Sequence, residues 1–179
     1  MQVFARRGFQ LRTASLETRV AYTAFLALTV LGAVSMGALS VGRIGITRAA
    51  IAVYYRGGES EMSFPKQFWQ LAEVSHFHLF SISVVLLILS HLLSATPMRA
   101  RARLGVIGVT SVGAFLDICA PWAVRYVSGA FAYALLAAWL LLGGGMLCML
   151  AISLVCMWGP ERWIFGQANG AAVRSAEET

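Results

Sequence analysis

Charge is what this chain has least of. Only 12% of its 179 residues are Asp, Glu, Lys or Arg, about half the share of an ordinary soluble domain. Too few charged side chains are present to clothe a water-facing globule. Polar low-complexity character is missing as well: 59% of the residues are hydrophobic, so a disordered chain is excluded. The 17 glycines and 4 prolines show no triplet period, which excludes collagen. The three cysteines, Cys119, Cys148 and Cys156, all lie in apolar stretches and make no disulfide framework. There is no CxxCH, no Walker A loop and no HExxH, so covalent haem, nucleotide and zinc-protease motifs are missing. No serine-nucleophile arrangement is recognisable. What is left is an integral membrane protein.

Four stretches are long and apolar enough to cross a bilayer, about 20 residues each: roughly 20–41, 71–95, 104–124 and 130–158. The expected fold is an all-α four-helix membrane bundle. Its parts are a basic amphipathic arm (1–19), the bundle (20–158) with a long outer, periplasmic loop at 42–70, and a tail (159–179). The first apolar run is too long for a signal h-region and reads as a retained span. Asp117 and Pro121 make the third span the least clean.

Arginines orient the bundle. Arg6, Arg7, Arg12 and Arg19 precede the first span, and Arg99, Arg101 and Arg103 join the second to the third. With four spans these two segments share a side, and the positive-inside rule makes it the cytoplasm. The expected location is the bacterial inner membrane, with both termini cytoplasmic. The opposite loop has Arg43, Arg48, Arg56 and Lys66 but also Glu59 and Glu61. Because the arginines flank spans, the net charge of +6 points to lipid as the partner and not to nucleic acid. Trp69, Trp122, Tyr126, Trp158 and Trp163 fall near span ends, where amphipathic rings favour headgroups. The outer loop is long for a connector. Residues 44–55 suit an amphipathic helix, broken by Gly57-Gly58.

The histidines carry the functional signal. All three, His76, His78 and His91, lie on the second span, and ionisable groups inside a membrane are functional candidates by default. At about 100° per residue, Glu73, His76 and His91 fall on one face with Ser83, Ser90 and Ser94, a polar stripe along the helix. His78 lies about 140° away from His91 around the axis. Three chemistries suit this set. A b-type haem ligated through His76, His78 or His91 is the first, with electron transfer as the role. Spans one, three and four have no histidine, so a bis-histidine site needs a second chain, either a homo-oligomer partner or another membrane or cytochrome subunit. Mixed ligation is the other route, with Met36 near the depth of His78, or Met146 or Met149 near that of His91. The second is a zinc or copper ion held by Glu73, His76 and His78. The third is a proton relay using His76, His91 and Asp117; Asp117 is alternatively a structural partner for a histidine across helices. A non-catalytic subunit or assembly factor of a larger complex is the competing class. Gly143-Gly144-Gly145, and Gly32 with Gly37, are positions for close helix approach.

Tyr54-Tyr55-Arg56-Gly57-Gly58, Phe64-Pro65-Lys66, Ser75-His76-Phe77-His78 and the later His91-Leu92 together resemble a family of bacterial four-span membrane proteins with no assigned reaction. The resemblance covers about residues 45–97. Histidines at two depths of one helix also resemble membrane b-type cytochromes in part. The family likeness implies that the outer loop folds back over the outer end of the second span. Tyr54, Tyr55 and Arg56 would then cap the histidine site, with Arg56 facing haem propionates or Glu73.

Overall fold

The computed structural model describes residues 10–160. The basic arm is thus described from Gln10 on and the tail to Pro160; Arg6, Arg7 and Trp163 lie outside. The architecture is all-α, as expected. A 3-10 turn at Leu11–Thr13 precedes α1 (Leu16–Arg43), α2 (Arg48–Arg56), α3 (Phe68–Ser94), α4 (Ala100–Tyr126) and α5 (Ala132–Trp158). A second 3-10 turn, Gly129–Phe131, leads into α5. Four helices are long and apolar enough to span a membrane.

Local chemistry marks the boundaries. The Ser15 hydroxyl accepts from the Thr18 amide and that of Thr47 from the Ala50 amide, each satisfying an amide left free at a helix start. The Gln67 amide donates to Oε1 of Gln70 at the head of α3. Gly57 ends α2 at φ 80° and ψ 168°, a region open essentially to glycine. Pro121 lies inside α4 and the helix runs on to Tyr126. Lacking an N–H, Pro121 cannot bond the carbonyl of Asp117 four residues earlier.

The tightest packing joins α4 to α5. The buried residues of α4 are Thr110, Gly113, Asp117, Ala120 and Val124, alternating three and four apart as a coiled-coil seam does. A Cβ on Gly113 would sit 2.5 Å from the Leu142 amide nitrogen and 2.9 Å from the Leu141 carbonyl carbon. A Cβ on Gly145 would run into the Thr110 hydroxyl. Small residues thus let the two backbones meet, the usual device where lipid supplies no hydrophobic drive. Of the glycines expected to serve close approach, Gly145 does so. Gly143, Gly144, Gly32 and Gly37 face open space.

Two apolar clusters occupy opposite ends. One gathers Leu11, Leu26, Leu89, Leu92, Leu93, Met149 and Cys156. The other gathers Ile51, Tyr55, Leu71, Ala120, Val124 and Leu135. The second brings α2 onto the ends of α3, α4 and α5, so the long loop does fold back over the bundle. Helix α1 differs. Only 6% of its apolar window is buried, against 28% for α5, and residues 31–39 are all exposed.

Candidate functional site

Helix α3 is apolar nearly all round, so its inward face is set by its neighbours. Leu71, Leu89, Leu92 and Leu93 are buried. His78 lies within about 20° of both Leu71 and Leu89 around the axis, and so on the inward face. The polar stripe of the sequence lies on the other side: Glu73, His76, Ser83, His91 and Ser94 are all exposed. The hydroxyls of Ser83 and Ser94 turn back to the carbonyls of Leu79 and Ser90, as a lone helix does to satisfy its own polar groups. The structure therefore separates the histidines. It does not bring His76 and His78 together, and among the described residues no three of His, Cys, Asp and Glu form a metal-binding group.

One partner does reach His78. Its Nδ1 lies 3.0 Å from Oδ2 of Asp117 on α4. The Asp117 side chain is only 8% exposed and that of His78 24%. A carboxylate acceptor requires the hydrogen on Nδ1. Nε2 of His78 makes no hydrogen bond among the described residues and is not sealed from the surface. His91 is arranged alike, with Nδ1 2.9 Å from the Leu87 carbonyl oxygen and Nε2 unbonded. Of the methionines expected at histidine depth, Met149 clusters with Leu89, Leu92 and Leu93 and Met146 packs against that cluster, on the side of α3 away from His91; Met36 is exposed on α1.

The outer loop closes the same end. Tyr55 is buried. Burial pushes its phenol well above the usual tyrosine range, and the charges of Tyr54 and Asp117 act in the same direction. Tyr55 thus borders the Asp117 side of the bundle. Arg56 is engaged otherwise than expected. Its Nη1 donates to the Val124 carbonyl at 3.1 Å and to that of Arg125 at 3.5 Å, the freed oxygens at the end of α4, where a cation is favoured. Neither Glu73 nor an open ligand face is its partner. Lys66 explains the Phe-Pro-Lys step: its amide donates to the Tyr55 carbonyl, its carbonyl accepts from Nε of Arg125 at 2.8 Å, and Nζ lies 4.1 Å from the Tyr54 ring centre. A second α3–α4 link runs from Trp122 Nε1 to the Ser75 hydroxyl at 2.8 Å.

The His78–Asp117 pairing was not singled out by spacing on α3. A signal for it existed on α4, where Asp117 interrupts a seam of small and apolar residues at Thr110, Gly113, Ala120 and Val124. A carboxylate on such a seam faces another helix and needs a partner there.

The family model of Aq_1264_TM, a transmembrane helical domain, matches residues 45–163. The chain belongs to this family. The Aq_1264_TM match takes in α2, α3, α4 and α5, with the Tyr-Tyr-Arg-Gly loop and all three histidines, and starts just after α1. A membrane-protein family was expected and is found. No curated protein and no solved structure matches the chain.

Proposed function

We propose that this protein carries a b-type haem on α3, with His78 as ligand and electron transfer as its role. A bound ion is the alternative: copper would keep the electron-transfer role, whereas zinc, which has no redox chemistry, would be structural. The observation behind this is the anchoring of His78 Nδ1 by Asp117, with Nε2 left unbonded. Metal-ligating histidines commonly donate their other N–H to a carboxylate, which sets the tautomer and strengthens the ligand. Since the ring lies at the edge of the bundle, with 24% of the His78 side chain exposed, the group would sit between this chain and a second one, either another copy or a cytochrome-type subunit, that supplies a further ligand. His91 would serve likewise at the other depth. The basic residues at the Leu11 end support placing that end in the cytoplasm of a bacterial inner membrane.

A reduced-minus-oxidised visible spectrum of the purified protein, produced with ample haem, tests the first choice. An α band lost in His78→Ala supports it; no band at all overturns it. Elemental analysis of the same sample tests the ion. A stoichiometric metal lost in His78→Ala supports that alternative.

A second reading is a non-catalytic subunit or assembly factor. The exposed apolar run 31–39 of α1 favours it, since a span so sparsely packed is free to meet partner helices. In that case His78→Ala changes recovery of a complex and leaves haem and metal content untouched.

A further inference from the structure

Two basic segments far apart in the sequence meet at one end of the bundle. The Leu11 amide donates to the Ala95 carbonyl at 3.2 Å, and Leu11 is fully buried. This pins the N-terminal turn against the α3–α4 connection. Nη2 of Arg19 donates to the Arg12 carbonyl at 3.1 Å, and its guanidinium lies 5.0 Å from the Trp158 ring centre. From the other segment, Nη1 of Arg103 donates to the carbonyls of Ser94 and Thr96 at 3.1 and 3.0 Å. Arg99, four residues before Arg103 and so on the same side of α4, is exposed, whereas Arg101 is exposed about 160° away around the helix.

None of Arg19, Arg99, Arg101 and Arg103 pairs with a carboxylate among the described residues. Nε of Arg19 is buried without a hydrogen-bond partner. Glu17 is the one acid at this end among the described residues. Like charges gathered at one end of the bundle repel one another and favour an anion in their midst. The level of the cluster says which anion. It lies where the four long apolar helices each have one terminus, and the Trp158 indole, donating to the Thr23 hydroxyl at 3.0 Å, marks the headgroup region.

We propose that Arg19, Arg99 and Arg103 form a binding site for the phosphate of an anionic phospholipid. The N-terminal turn, held by Leu11, would be part of that site. The inference is independent of any redox group on α3.

Native mass spectrometry of the full chain in a nonionic detergent, offered equal phosphatidylglycerol and phosphatidylcholine, tests this. Preferential retention of phosphatidylglycerol is expected. In Arg99→Gln the preference should fall about fivefold. The Arg99 side chain is exposed and makes no bond among the described residues, so the fold is retained. Arg43→Gln, at the far end of α1, should leave the preference as it is. Equal retention of the two lipids overturns the proposal, as does an equal loss in Arg43→Gln. Displacement of the lipid by excess inorganic phosphate would assign the site to a soluble anion and overturn it too.

Discussion

Nδ1 of His78 lies 3.0 Å from Oδ2 of Asp117, joining α3 to α4. Each residue satisfies the other where water is scarce. Hydrogen bonds between membrane helices are worth about 0.6 kcal/mol on average and about 1.7 at most. A double-mutant cycle with His78→Leu and Asp117→Leu should give a coupling in that range, read from denaturant unfolding in micelles by helical circular dichroism. Purely additive losses would mean that the contact carries no stability.

Close approach of α4 and α5 makes a sharper forecast. Gly113→Ala places a methyl against the Leu141–Leu142 backbone, which cannot swing aside as a side chain can. A cost of about 1–3 kcal/mol is expected, the range for overpacking. Gly144→Ala, in open space, should be neutral or gain up to about 1 kcal/mol from helix propensity. Thermal unfolding of both variants in the same detergent compares them directly.

Gly57 controls the loop. At φ 80° its added Cβ would lie 2.7 Å from the Ser63 carbonyl oxygen. Gly57→Ala should cost about 1–3 kcal/mol and loosen the segment that seats Lys66 and Arg56. Faster proteolysis between residues 57 and 66, with the spans intact, is the expected result. Unchanged proteolysis would show that the loop is held without this turn.

Tyr55 adds a pH dependence. Its folded-state pKa is raised by burial, so the folded chain holds the phenolic proton more tightly than the unfolded chain does. The associated stability is complete below the unfolded tyrosine value near pH 10 and is lost as pH climbs from there toward the folded value. Wild type should lose melting temperature between pH 8 and pH 11 (about the span that brackets the unfolded value) by more than Tyr55→Phe does. Equal losses would place the alkaline sensitivity elsewhere.

Much of the fold is legible from the chain alone because a bilayer imposes a simple test. Long uncharged runs must be helices, and four such runs lie close to their expected positions. The break at Gly57 was legible too, since few residues accept its backbone. The histidine site was legible only in part. All three histidines sit on one helix, and periodicity grouped His76 and His91 with Glu73 and the serines. That stripe faces outward, while the odd residue, His78, turns inward. Arg56 belonged to a motif, but its partners, the carbonyls of Val124 and Arg125, are main-chain atoms that no side-chain pattern advertises.

Read alone, the sequence determined the medium, the four spans and the span that holds every histidine. Only the tertiary structure decided which histidine meets a carboxylate, because a helix apolar on all sides has no intrinsic inside. Its inward face follows from the leucines that find neighbours and from the small residues of α4 and α5 that let backbones approach. Asp117 lies on that seam, and the seam selects His78.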